Sequence, residues 1–152
     1  MKRFADRASD AALTLDEQLC FPIYAAANAT VRLYRPLLEP LGLTYLQYLV
    51  LMILWEHAPV SVGEIGDKLV LDSGTLTPLL KRLETNGLVS RRRDAADERR
   101  VLIELTAEGM AMREKVRTIP NDVLQCAQLP QEDIEDLVAA VLTLKRLFLE
   151  NR

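Results

Sequence analysis

The chain has 152 residues, 49% hydrophobic and 27% charged with 5% aromatic, which fits one compact domain of ordinary globular composition. Its longest unbroken apolar run, Tyr48 to Trp55, is eight residues, far short of the roughly 18 that a bilayer span needs, so a membrane-embedded protein is excluded. The formal net charge of -3 argues at first against a nucleic-acid partner, because phosphate binding leaves a basic footprint.

In chain order, the start Met1-Lys2-Arg3-Phe4-Ala5-Asp6-Arg7 mixes both signs of charge and has no apolar stretch behind it, so a cytoplasmic location is expected. Thr14-Leu15-Asp16-Glu17 has the spacing of a capping box and predicts a helix start. Leu15, Leu19, Ile23, Ala26, Ala27, Val31 and Tyr34 would form its apolar face. Pro22 lies within this stretch, so either the helix kinks near Cys20 or Pro22 opens a second helix; both put Cys20 on irregular backbone. Pro36, Pro40 and Gly42 end the segment, and Thr44 caps a helix through Leu46, Leu49, Val50, Ile53 and Leu54 that is apolar nearly all round and belongs at the middle of the fold. His57-Ala58-Pro59 closes it.

Ser61-Val62-Gly63-Glu64 offers the next cap, with Val62, Ile65, Leu69 and Val70 as the apolar face of a helix of about ten residues. A turn is expected at Asp72-Ser73-Gly74, then a helix with Leu76, Leu79, Leu80 and Leu83 inward that stops at Asn86-Gly87. Leu88 to Arg92 and Val101 to Leu105 read as two paired strands joined by the polar run from Arg93 to Arg100. Helix restarts at Thr106-Ala107-Glu108 with Met110, Val116 and Ile119 inward and continues past Pro120 through Val123, Leu124 and Ala127. Pro130 opens the last and most plainly amphipathic helix, carrying Ile134, Leu137, Val138, Val141, Leu142 and Phe148.

Helix, tight turn, helix and basic hairpin make a winged helix-turn-helix, whose second helix enters the major groove of DNA while the wing follows the backbone. The local charge supports it: from Lys81 to Arg100 seven basic residues face four acids, a basic region on an acidic body. Asp72, Ser73, Thr75 and Thr77 surround the N-terminus of the second helix, where short polar side chains and free backbone N–H groups serve phosphates and base edges. Lys81 and Arg82 follow one turn later, and Arg93 and Arg99 on the wing suit a narrow minor groove. The bland alternatives are a helix cap, a solvated helix face and a charged hairpin.

The run Leu69 to Glu84, then Gly87-Leu88-Val89, Asp94-x-x-Asp97-Glu98-Arg99 and Leu105-Thr106, resembles the MarR family. Leu19-Cys20-Phe21-x-x-Tyr24, Tyr34-x-Pro36-Leu37-Leu38 and Leu43-Thr44-Tyr45-x-Gln47-Tyr48 are similar to its organic-hydroperoxide-responsive repressors. The resemblance implies a mainly α fold with a small β-hairpin wing. It divides the chain into a DNA-binding lobe at 60–106 and dimerisation and sensor helices at 14–58 and 107–150. It also implies a homodimer on a pseudo-palindromic double-stranded operator; no cofactor is expected, and two cysteines 106 positions apart, unlike any paired zinc-ligand spacing, argue against a structural metal. Cys20 would be the peroxide-reactive thiol, with Tyr34 and Tyr45 as hydrogen-bond donors to its thiolate across the dimer interface and Tyr24 as a third nearby phenol. Cys126 would be the resolving thiol of a two-cysteine switch, attacking oxidised Cys20 of the other subunit. From the residues alone a cysteine on an apolar helix is more often an inert, small packed residue, and Cys126 reads as a buried helix residue. Pro22 departs from the pattern. Two other readings stay open: a MarR-type regulator driven by a small phenolic ligand, and a thiol peroxidase.

Overall fold

The computed structural model describes residues 14–15, 18, 20–128 and 130–150. The capping box expected at Thr14 falls partly outside them, since Asp16, Glu17 and Leu19 are not described. The first helix, α1 (Cys20–Leu38), opens at Cys20, preceded by a Phe21 N–H donated to the Gln18 carbonyl at 3.3 Å. Pro22 is thus the third helical residue, where a missing N–H forfeits no intrahelical bond. Cys20 is therefore the first residue of α1 rather than lying on irregular backbone, because Pro22 fits the first turn of a helix, and the choice between a kinked helix and a second one falls outside the described residues. Pro36 does not end α1, which runs to Leu38 before a 3-10 turn, Glu39–Leu41. That turn is closed by Gly42 in the left-handed region at φ 70°, with its N–H on the Glu39 carbonyl.

Thr44 caps α2 (Tyr45–His57) through a full capping box: its hydroxyl accepts the Gln47 N–H at 3.4 Å and its own N–H is donated to Gln47 Oε1 at 2.8 Å. As its all-round apolarity predicts, α2 is central. It packs against α1 and against α3, α4 and β3 of the winged lobe introduced below, with Tyr48, Val50, Leu51 and Leu54 buried; of its apolar residues only Met52 stands exposed.

The lobe begins with a two-residue strand, β1 (Val60–Ser61), and α3 (Val62–Leu69), capped by Ser61 with Glu64. Val70 ends α3 in the left-handed region at φ 56° and is exposed rather than part of its apolar face. The recognition helix α4 (Ser73–Thr85) starts one residue after Asp72, so the turn is Val70-Leu71, and Ser73 and Gly74 belong to the helix rather than to a turn. Strands β2 (Val89–Arg93) and β3 (Val101–Leu105) form the wing, in register from Val89 opposite Leu105 to Arg93 opposite Val101. The sheet has three strands, not two: β1 pairs antiparallel with β3, Val60 opposite Ile103, giving the order β1-β3-β2. A two-residue strand leaves no alternation to detect, which is why sequence missed it. α2 contacts α3, α4 and β3, and Ile65, Leu76, Leu80, Leu83 and Ile103 are fully buried around it.

Thr106 caps α5 (Ala107–Lys115), which buries Gly109 and Met112 and leaves Met110 exposed, the reverse of the expected inward Met110. By its internal contacts the chain then divides, Met1–Arg117 from Thr118–Arg152. The second unit comprises α6 (Ile119–Ala127), with Pro120 in its first turn, and α7 (Gln131–Glu150). Leu137, Val138, Val141, Leu142 and Phe148 on α7 all stand about half exposed or more. Among the described residues no single helix is long and apolar enough to cross a membrane.

Candidate DNA interface and thiol site

Two helices and a wing position the candidate DNA contacts. Asp72 caps α4: its carboxylate accepts the Thr75 N–H at 2.8 Å and the Thr75 hydroxyl at 3.3 Å. The bond from the Thr75 backbone is the main reason its pKa lies below the ordinary aspartate range. Ser73, Thr75, Thr77, Lys81 and Arg82 are all exposed along α4. Pro78, unweighed at sequence level, lies in the helix interior, where its ring removes the bond that the Gly74 carbonyl would accept. With Thr75, Leu79 and Arg82 it lines a cavity of about 230 Å³ against Thr44, Leu46 and Gln47 at the start of α2.

The basic residues separate into two groups. Arg91 binds Glu84 at 2.7 Å, Arg92 binds Glu104 at 2.6 Å, and Arg100 reaches Glu64 at 3.2 Å and Asp94 at 3.9 Å. Glu64 also accepts from the Ser61 hydroxyl and N–H, the largest causes of its lowered pKa. These three guanidinium groups therefore hold the lobe together. Among the described residues Lys81, Arg82 and Arg93 have no acidic partner; Arg93 touches only the Glu98 carbonyl at 3.5 Å. Arg99 is 90% exposed but forked onto Asp97, at 3.0 and 3.2 Å. That bidentate bond lowers the Asp97 pKa and holds the guanidinium at the wing tip.

The thiol side is assembled from α1 and α2. Cys20 is exposed and free at the first position of α1, with Tyr24 one turn along the same face and 67% exposed. Tyr34 lies fourteen residues beyond Cys20 on that helix, about 21 Å away at 1.5 Å per residue, so the two cannot meet within one chain. Tyr34 does meet Tyr45: their ring centroids are 4.6 Å apart. Burial raises both pKa values above the ordinary phenol range, with the neighbouring Tyr34 adding to the shift at Tyr45. Both hydroxyls therefore remain protonated donors at neutral pH. Tyr48, 3% exposed, completes the cluster at 5.9 Å from Tyr34, a member the sequence reading did not assign to the site although its spacing from Tyr45 was visible. Cys126, in α6, is also exposed and free. Among the described residues no three His, Cys, Asp or Glu side chains are grouped to hold a metal ion.

Comparison with known proteins matches this architecture throughout. A family model described as transcriptional regulator SarA/Rot covers residues 32–116. The organic hydroperoxide resistance transcriptional regulator of Bacillus subtilis is 46% identical over 87% of this chain and 90% of its own length. Among solved structures, reduced AbfR of Staphylococcus epidermidis bound to DNA is 38% identical, covering 91% of this chain and 97% of that one, with a TM-score of 0.73. Disulfide-formed AbfR, 36% identical over 88% of this chain and 94% of its own, gives 0.58. The chain belongs to the MarR and SarA type of winged-helix, DNA-binding transcriptional regulators, the family of the organic hydroperoxide resistance regulator.

Proposed function

We propose that the chain is a homodimeric repressor that leaves its operator when an organic hydroperoxide oxidises Cys20. The observation that carries this reading is the Tyr34–Tyr45 pair, two phenols at 4.6 Å whose hydroxyls burial keeps protonated. Such donors stabilise an anion in apolar surroundings that also admit a greasy alkyl peroxide. Since Tyr34 is a helix-length from the Cys20 of its own chain, the thiolate that these phenols serve belongs to the partner, consistent with a symmetric dimer. The exposed apolar faces of α1 and α7, with Val31, Val138 and Val141, supply the surface for it.

The chemistry balances with groups of known type. The Cys20 thiolate attacks the distal peroxide oxygen, the O–O bond breaks, and the alkoxide leaves as the alcohol after taking a proton. Cys20 becomes a sulfenic acid; the Cys126 thiol of the partner subunit attacks its sulfur, forming an intersubunit disulfide and releasing water. Cellular thiols reverse the step by exchange. Disulfide-formed AbfR shows that a relative of this fold forms a disulfide, and its lower structural similarity to this chain fits a repositioned state. On DNA, Ser73, Thr75, Thr77, Lys81 and Arg82 would face the major groove, with Arg93 and Arg99 in the minor groove and Asp72 fixing the helix start.

The test is a gel shift on the DNA upstream of the protein's own gene, with wild type and Cys20→Ser, before and after stoichiometric cumene hydroperoxide. Release of wild type alone is expected. Tight binding unaffected by peroxide in both proteins would overturn the thiol switch and favour a small phenolic ligand as the signal. Steady peroxide turnover with excess reductant, indifferent to DNA, would instead identify a thiol peroxidase.

A further inference from the structure

The tyrosine pair is one end of a longer aromatic stripe. On α2, Tyr45, Tyr48 and Trp55 recur at spacings of three and seven and share one helix face. Tyr34 packs on Tyr45 and Tyr48 at 4.6 and 5.9 Å, and Tyr48 meets the edge of Trp55 at 6.4 Å with the rings inclined at 64°. Beyond Trp55 the contact becomes directional: the indole N–H is donated to the Gly109 carbonyl in α5 at 2.9 Å. Among the described residues this is the one side-chain hydrogen bond between α2 and another helix.

Gly109 in turn is locked to the joint between the recognition helix and the wing. Its N–H is donated to the Thr106 hydroxyl at 3.0 Å, and that hydroxyl is donated to the Gly87 carbonyl at 2.5 Å. The Thr106 N–H is donated to the Leu88 carbonyl at 3.2 Å, and a Cβ on Gly109 would fall on that same carbonyl. Gly87 and Leu88 are the residues through which α4 turns into β2, with Gly87 at φ 72°. The stripe thus starts at the phenols of the thiol site and ends on the backbone that sets the angle between α4 and the wing. None of these groups is among those assigned to DNA, and none carries the reacting sulfur.

We propose that Trp55 is the positioning residue that couples the tyrosine site to the DNA-binding surface, by holding Gly109, and through it the turn from α4 to β2, in the arrangement that binds operator. This rests on the peroxide-sensing reading for its signal. The mechanism is a two-state one: packed aromatic rings and a single hydrogen bond occupy discrete arrangements, so a displacement at Tyr34 and Tyr45 moves the indole and frees the Gly109 carbonyl as a step. Trp55→Phe keeps the ring and removes only the N–H.

The experiment measures operator affinity of the full-length dimer for wild type, Tyr34→Leu, Trp55→Phe and the double variant, with thermal melting of each as a folding check. It then repeats the measurement on wild type and Trp55→Phe after peroxide, with Cys20 oxidation followed by mass spectrometry. Reduced Trp55→Phe should bind operator at least about threefold more weakly than wild type, because its Gly109 carbonyl is already free. The factor by which oxidation weakens binding should shrink at least about threefold while Cys20 oxidises normally, and the double variant should depart at least about threefold from the product of the single effects. A multiplicative double variant, or a peroxide response in Trp55→Phe equal to that of wild type, overturns the coupling. If Trp55→Phe does not fold, Trp55→Leu, which also lacks the N–H, takes its place in the cycle with the same criteria. Should wild type ignore peroxide, the sensing reading fails, and the four-protein cycle still decides whether Trp55 couples the tyrosines to DNA.

Discussion

The winged lobe and the long helices solve opposite problems. In the lobe, α3 and α4 carry their own caps at Ser61 and Asp72, Arg91, Arg92 and Arg100 have acidic partners, and Ile65, Leu80, Leu83 and Ile103 are at most 1% exposed. On α7, Leu137, Val138, Val141 and Leu142 are 50 to 58% exposed, and on α1 Val31 is 44% exposed. Lobe residues find what they need within one chain; the long helices do not. An amphipathic helix of twenty residues with its apolar stripe open is half of an interface, and the missing half is most simply a second copy.

The largest expected effect breaks that comparison from the open side. Val141→Asp puts a charge into the proposed seam while leaving every lobe contact in place. Sedimentation should report a 17.1 kDa monomer with unchanged helical circular dichroism. Operator affinity should fall about a thousandfold, because two lobes tethered to one operator gain that order of avidity. Wild type that already sediments as a monomer would sink the dimer, and with it the crosswise pairing of Cys20 and the tyrosines.

Gly109→Ala breaks the closed side. In a helix this change ordinarily stabilises by up to about 1 kcal/mol. Here the added methyl lands on the Leu88 carbonyl, backbone that cannot swing aside, with Leu105 Cδ2 also at 3.1 Å. Overpacking against main chain should win, costing about 3 kcal/mol and lowering the denaturation midpoint without altering the slope. An unchanged midpoint would mean that α5 shifts freely against the start of the wing.

Much of this was legible in the sequence because it is written in local rules. Thr44, Ser61 and Thr106 cap where their side chains can reach a backbone N–H three residues on, and Gly87 ends α4 where a positive φ is needed. The all-apolar α2 had to be central. What escaped depends on distant partners. The strand at Val60–Ser61 exists only because β3 passes beside it. Met110 and Met112 have the same chemistry, and only the packing of α5 decides which is covered. The candidate site divides the same way: Cys20 and the α4 residues are readable from motif and spacing. Which arginines remain available to DNA depends on Glu84, Glu104 and Glu64, carboxylates that fold back from other elements.

The smallest effect sharpens the comparison within the lobe by asking what its caps owe to charge. Asp72 accepts from Thr75, and its folded pKa lies below the ordinary value of 3.8. A carboxylate lowered on folding contributes stability that is fully present above its unfolded value and is lost as pH falls through the folded one. Asp72→Asn keeps a good capping oxygen and removes the charge that favours a helix N-terminus. At pH 7 wild type should therefore melt slightly above the variant, and the gap should close as pH drops below 3.8. Thermal melts of both proteins from pH 7 downward measure it. A gap that persists through the acid range would show that the carboxylate acts at α4 by shape alone, and the recognition helix would then owe its start to hydrogen-bond geometry rather than to electrostatics.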